Sequence, residues 1–224
     1  MNETAGRAGR RERRRHRAEV FSARAQGTIN GISLMLKPGD IAFDCGANVG
    51  DVSAILARSG ATVEACEPDP YCVARLTERL AGVPNLRLHA AAVGVAGGVA
   101  RLQRDRNFDA DPARASVRST VTPGGRRMAE DPDEAIEVPV IDLPAALEAA
   151  IATRGEIAFL KLDVEDAEPD ILEEMARRRI FDGIRFTAAE THERKFPALA
   201  PRFAALRARI AAGWPATRVT LDWI

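Results

Sequence analysis

From Gly27 onward, short apolar runs alternate with stretches whose apolar positions recur at helical spacing. Ile41-Ala42-Phe43 follows the turn-forming Pro38-Gly39-Asp40 and predicts a buried strand. Val52, Ile55 and Leu56 then sit at helical spacing, and Gly60 stops that helix. Thr62 to Cys66 predicts the next strand. Asp69-Pro70 joins a capping side chain to a proline at the first helical position. Val73, Leu76 and Leu80 supply that helix's buried stripe, Gly82 ends it, and Leu86 to Leu88 opens a third strand. The second half repeats the logic. Ile157 to Leu162 predicts a strand, and Pro169 to Met175 a helix with Ile171, Leu172 and Met175 inward. Ile184 to Ala189 predicts another strand, Phe203, Leu206 and Ile210 a helical stripe, and Val219 to Trp223 a last strand. Strands and helices in alternation, joined by right-handed crossovers, build one α/β domain with a doubly wound, mostly parallel sheet.

Between the halves, Arg104 to Glu134 is irregular and rich in charge, proline and glycine. A loop of this length in a compact domain suits a functional lid or a disordered segment. Val138-Pro139-Val140-Ile141 re-enters structure, and its proline predicts a sheet edge or a connecting segment.

Composition narrows the class. Of 224 residues, 46% are hydrophobic and 29% charged, which is ordinary for a globular chain. Neither a long apolar run nor a secretory leader pattern occurs, so a cytoplasmic protein without a membrane span is expected. The 32 basic and 32 acidic residues cancel. Residues 1–25 nevertheless carry eight arginines against three glutamates, an excess of +5. The chain therefore divides into a basic N-terminal arm, residues 1–26, and a domain, residues 27–224. Such an arm can bind nucleic acid or anionic lipid, or serve as a solvated, partly helical or disordered leader. Only Cys45, Cys66 and Cys72 occur, without a CxxC pair, and His16, His89 and His192 are scattered. No metal site is expected from these spacings.

The chemistry sits at predicted strand ends. Asp44-Cys45-Gly46-Ala47-Asn48-Val49-Gly50-Asp51 follows the first strand, where open α/β sheets bind ligands. Its glycines allow a sharp turn and a close ligand, but the spacing is GxxxG, not the GxGxxG of dinucleotide sites. That spacing disfavours a nicotinamide-dependent oxidoreductase. Glu67, directly after the second strand, can accept both hydroxyls of a ribose. Two carboxylates, Asp44 and Glu67, at adjacent strand ends suit a cofactor with a ribose and no phosphate. S-adenosylmethionine is such a molecule. Asp163, Glu165, Asp166 and Glu168 crowd a further strand end at a helix start. Glu168 reads as a helix-start charge. Asp163 and Glu165 share side-chain parity and are expected to face one cleft. His192, beyond Glu190, has an unperturbed pKa near neutrality and is a candidate base.

These motifs together resemble the FkbM-type class I S-adenosylmethionine-dependent methyltransferases, a Rossmann-like family. Phe43 to Gly50 is similar to the family's cofactor loop, and Glu67-Pro68 to its ribose-binding acid. Ala91-Ala92-Val93-Gly94 resembles the segment beside the adenine. Phe159 to Glu168 resembles the family signature "FLKIDVEGAE", with Asp166 in place of its glycine. Ala189-Glu190-Thr191-His192 resembles the acid and histidine ending the fifth strand. The resemblance implies S-adenosyl-L-methionine held by Asp44, Gly46, Ala47, Asn48, Gly50, Asp51, Glu67, Pro68, Ala91 and Ala92. It implies methyl transfer to a hydroxyl of a small molecule, a sugar or secondary metabolite, with Asp163, Glu165, Glu190 and His192 as catalytic candidates. The central loop, with Ser116, Ser119 and Thr120, is expected to cover the acceptor. An RNA methyltransferase using the arginine arm and a non-catalytic cofactor-binding module are the rival readings. The chain's end at Ile224 suggests a sheet one strand short, or completed by a strand from Thr28 to Leu36.

Overall fold

The structure, a computed structural model, describes residues 20, 23–106, 108–116, 119–121, 135–165, 167–193 and 200–222. Most of the arginine arm, Arg118, Arg126, Arg127, Asp166 and Trp223 lie outside the described residues.

Residues 23–35 form helix α1. There follow β1 (Ile41–Cys45), α2 (Asp51–Ala57), β2 (Thr62–Cys66), α3 (Pro70–Arg79) and β3 (Leu86–His89). The middle of the chain gives β4 (Ala92–Gly94), β5 (Gly98–Leu102), the single turn α4 (Pro112–Ala115) and β6 (Ile136–Asp142). The second half gives α5 (Leu143–Arg154), β7 (Ile157–Leu162), α6 (Glu168–Arg177), β8 (Ile184–Ala189), α7 (Ala200–Gly213) and β9 (Val219–Thr220). Six strands form one sheet in the order β3-β2-β1-β7-β8-β9, with every neighbouring pair parallel. The α/β, doubly wound architecture expected from the alternation is therefore present.

The two faces of this sheet are buried for a reason visible in β1. Ile41, Phe43 and Cys45 pack with α5, α6 and α7 residues such as Leu147, Leu172 and Leu206. Ala42 points the other way, into a layer with Ile29 of α1 and Leu56 of α2. A strand covered on both sides reads as a continuous apolar run, which is why its sequence does not alternate. Among the described residues, no helix is long and apolar enough to cross a membrane.

Several expectations change. Thr28 to Leu36 is helical through residue 35, not a strand, so it completes no sheet. The expected boundary between residues 26 and 27 falls inside α1. In α3 the buried positions are Cys72 and Leu76, with Val73 only half-buried. Pro139 lies in the middle strand of a three-stranded sheet, order β4-β6-β5, not at an edge. The proline is tolerated because β4 begins pairing only at Val140, opposite Ala92. On that side Pro139 behaves as an edge residue. The last strand is also short. Beyond Thr220 the chain makes one antiparallel bridge, Asp222 to Glu190.

Candidate active site

Strand order reverses between β1 and β7, and ligands bind in open α/β sheets at the carboxyl ends of such a pair. The loop after β1 and the segment after β7 meet there. Asp163 N–H donates to the Cys45 carbonyl at 3.1 Å. A Cβ added to Gly46, whose φ is +80°, would stand 1.7 Å from the Asp163 carbonyl oxygen. Only glycine fits this contact. Gly46 and Ala47 N–H groups both donate to the Cys66 carbonyl at 3.0 Å, so β2 holds the same loop from the other side.

Glu67 follows β2 and is 6% exposed. Its Oε2 accepts from Asn48 N–H at 2.8 Å and its Oε1 from Asp69 N–H at 2.9 Å. Burial pushes its carboxyl up to about 7, against the pull of those two hydrogen bonds. Asp69 caps α3 through Tyr71 N–H and is gripped by the Arg104 guanidinium at 3.0 and 2.6 Å. Ser119 Oγ lies 3.2 Å from Asp69 as well. This contact docks the start of the irregular segment beside Glu67.

Beneath the loop lies a buried ion cluster. Asp44 and Lys161 are register partners on β1 and β7, so their side chains sit side by side. Lys161 Nζ is 3.3 Å from Asp44 Oδ1, 3.4 Å from Asp163 Oδ2 and 2.9 Å from the Gly46 carbonyl oxygen it donates to. Asp44 Oδ2 accepts from Ser53 Oγ at 2.6 Å. Burial works against the Lys161 charge, but Asp163 and Asp44 outweigh it, so the ammonium stays protonated.

On the β7–β8 side, α6 begins at Glu168, which is fully buried. Its Oε1 accepts from Val164 N–H at 3.0 Å and lies 2.9 Å from His192 Nδ1. Glu168 is thus more than the helix-start charge expected of it. His192 Nε2 faces Glu165 Oε2 at 3.5 Å, Asp163 Oδ1 at 3.8 Å and Glu190 Oε1 at 3.8 Å. Burial disfavours its charge, yet Glu165 and Glu168 overcome this and push its pKa up to about 11. The carboxylates around the ring thus favour the imidazolium, a form with no lone pair to take a proton. The convergence of Asp163 and Glu165 does not follow from strand parity either. The strand β7 ends at Leu162, and Glu165 adopts a left-handed φ of 55° that turns it back.

The cavity between these groups is lined by Gly46, Asn48, Glu67, Pro68, Ala91 and Ala92 on the β1–β3 side. Asp163, Glu165 and Glu190 line the other side, and Leu102, Ser116, Ser119 and Val121 the roof. Thr120 Oγ1 donates to the Glu165 carbonyl at 2.6 Å, tying that roof down. Every charged side chain among the described lining residues is acidic. The remaining candidates lie elsewhere. Asp44 is buried under the loop, Gly50 caps α2 in a left-handed conformation, and Asp51 pairs with Arg79 at the surface. Ala47 and Asp51 line a second crevice, beneath α1, together with Ala25, Gln26 and Lys161. His192 stands behind the carboxylates and not on the cavity wall. Lys161, Ser53 and Arg104 were missed as site-builders. For Lys161 a signal existed: the chain has only three lysines, and this one stands inside an apolar strand.

Comparison with known proteins agrees with this geometry. Residues 44–213 match the methyltransferase FkbM domain. The 31-O-demethyl-FK506 methyltransferase FkbM of Streptomyces tacrolimicus is 34% identical over 201 residues, covering 78% of this chain and 73% of that protein. A solved structure from Clostridium thermocellum, provisionally named an rRNA methylase, overlaps 30% of this chain and 39% of its own at 19% identity. Its TM-score of 0.28 is too low to bear on the fold or the substrate. With its cofactor-type glycine loop, its acidic strand ends and a family match over most of its length, this chain belongs to the FkbM family of methyltransferases.

Proposed function

We propose that the chain transfers the methyl group of S-adenosylmethionine to a hydroxyl oxygen of a small, uncharged or cationic molecule. The observation that carries this reading is the cavity wall. Glu67 and the Gly46 turn stand on one side, and three further carboxylates, Asp163, Glu165 and Glu190, on the other.

The residues present fit the cofactor. Glu67 offers two carboxylate oxygens, each with lone-pair capacity beyond its one backbone hydrogen bond, to the two hydroxyls of a ribose. Pro68, Ala91, Ala92 and Leu102 give apolar surface for a flat base. The Gly46 turn lets a ligand approach the backbone where a side chain would stand. When bound, the sulfonium supplies an electrophilic methyl group. The protein's part is to align the acceptor oxygen, exclude water and receive its proton. Asp163, Glu165 and Glu190 are the proton acceptors on the wall. His192 holds their orientation from behind.

The acidic wall would repel a polyanion, which favours a small acceptor over RNA. The related FkbM of Streptomyces tacrolimicus is named for an O-methylation, consistent with a hydroxyl target. Calorimetry with S-adenosylhomocysteine and with NADH, followed by a small-molecule screen with isotopically labelled cofactor, tests the reading. Binding of the former and a mass shift of one labelled methyl are expected. NADH binding without S-adenosylhomocysteine binding overturns it.

A further inference from the structure

Two residues after Glu67, Asp69 acts through both its backbone and its side chain. Its N–H donates to Glu67 Oε1 at 2.9 Å, on the carboxylate that lines the cavity. Its own carboxylate is fully buried and accepts from Tyr71 N–H at 2.9 Å, which fixes it at the start of α3. Two groups from the cavity roof reach the same carboxylate. Arg104 closes a two-point fork on it, Nε to Oδ2 at 3.0 Å and Nη2 to Oδ1 at 2.6 Å, and Ser119 Oγ donates to Oδ2 at 3.2 Å. The plane of the fork is set from the other side as well. The guanidinium lies 3.9 Å from the centre of the Phe108 ring, and Tyr71 meets that ring edge-on at 5.7 Å. Arg104 and Ser119 flank a small ladder, in which Gln103 and Thr120 exchange backbone hydrogen bonds at 2.8 and 3.0 Å beyond the end of β5. Leu102 and Val121, next to that bridge, line the cavity. An isolated strand pair has little stability of its own, so the side chains that tie it down decide where the roof sits. Those ties are Thr120 Oγ1 to the Glu165 carbonyl on one wall, and Arg104 with Ser119 to Asp69 on the other.

We propose that Arg104 is a positioning residue for methyl transfer: its fork on Asp69 sets the cavity roof and the Glu67 turn as one piece. A single side chain then aligns the cofactor's ribose acid with the cover above it. The geometry asks for arginine in particular. Lysine supplies the charge, but neither two parallel hydrogen bonds nor a flat face to lie against Phe108. Arg104 touches no reacting group, and it acts only through Asp69. The consequence for the cofactor rests on the methyl-transfer reading above, whereas the tie between the roof and the Glu67 turn does not.

The test compares full-length wild type, Arg104→Lys and Arg104→Met. Three quantities are read: melting temperature, S-adenosylhomocysteine affinity by calorimetry, and amide hydrogen exchange at Gln103 and Thr120 without ligand. Arg104→Lys keeps a cation beside the buried Asp69 and is expected to melt near wild type. Its Gln103 and Thr120 amides should nevertheless exchange at least about tenfold faster, because local opening of the roof exposes them. Its affinity for S-adenosylhomocysteine should fall at least about fivefold. Arg104→Met should show the same losses together with a lower melting temperature, since it leaves Asp69 buried without its cation. Wild-type exchange or wild-type affinity in Arg104→Lys overturns the proposal, because charge alone would then suffice. A melting temperature for Arg104→Lys as low as that of Arg104→Met also overturns it, by assigning the pair to stability alone. If wild type itself binds no S-adenosylhomocysteine, the cofactor reading falls, and the two exchange rates still decide whether the fork holds the roof.

Discussion

The two walls of the cavity are built by different physics. The β1–β3 wall is a backbone structure. Gly46, Ala47 and Asn48 donate main-chain N–H groups to β2 and to Glu67, and a single cavity-facing carboxylate stands in the middle. The β7–β8 wall is a charge structure. Four carboxylates gather around one imidazole. The first wall is suited to shape and approach, the second to proton and charge handling. Lys161 joins them, since it touches the Gly46 carbonyl, Asp44 and Asp163 together.

The comparison breaks most completely at that joint. Lys161→Met leaves Asp44 buried without its cation. Loss of one member of a buried pair costs about 3–5 kcal/mol, to be read from denaturant unfolding. Gly46→Ala attacks the same seam from the backbone, since a Cβ there would meet the Asp163 carbonyl at 1.7 Å. S-adenosylhomocysteine affinity should fall at least about a hundredfold, about 2.7 kcal/mol. A binding constant near wild type for Gly46→Ala would show the two walls to be independent.

Each wall can then be disturbed alone. On the charge wall, Glu168→Gln removes the negative charge that faces His192 and leaves only an amide oxygen for His192 and Val164 N–H, and turnover should drop about tenfold or more. Asp170→Asn, two residues away but exposed and paired with Arg202, should change it less than twofold. Equal effects would mean that helix-start charge, not the buried contact, matters. On the backbone wall, Glu67→Ala should weaken S-adenosylhomocysteine at least about tenfold, about 1.4 kcal/mol by calorimetry.

Glu67 also predicts opposite pH trends for stability and binding. Its carboxyl is raised from 4.5 to about 7, so the fold favours the neutral form. Its contribution to stability is present in full below about 4.5 and is lost as pH rises through about 7. Ribose hydroxyls need the ionised acceptor, so cofactor affinity should instead increase over that window. Glu67→Gln should flatten both curves, and unchanged curves would remove Glu67 from the site. The smallest effect is expected far from both walls. Deleting residues 1–19 leaves α1 whole, including Ala25 at the second crevice, and should alter cofactor affinity by under about threefold, less than 1 kcal/mol.

The two walls were unequally legible. Strands β2, β7 and β8 were readable to the residue, because a strand covered on both faces must be an apolar run and its neighbours must be turns. The Gly46 loop and Glu67 were also readable, since a strand–turn–helix unit is contiguous in sequence. The charge wall was readable only as a list of acids. Glu168 looked like a helix-start charge, and His192 like a free base, because nothing local says that one is buried against the other. A proline inside a strand pattern points to a sheet edge or a connecting segment, whereas the register shows that one strand can be central along only part of its length.

By itself, then, the sequence determined the alternation of strands and helices, the glycine turn after the first strand and the family signature. These depend on neighbours within about ten residues and on which positions must leave water. Tertiary structure alone decided that Asp44 lies under the loop and not in the cavity. It alone brought Lys161 to the seam and gathered four carboxylates around His192. Those outcomes depend on strand order and register, which set β1 beside β7 across more than a hundred residues and the end of β7 beside the end of β8. Burial then weighs on each charge: it raises the Glu67 carboxyl to about 7, yet Lys161 and His192 stay on the charged side because their acidic partners are already in place.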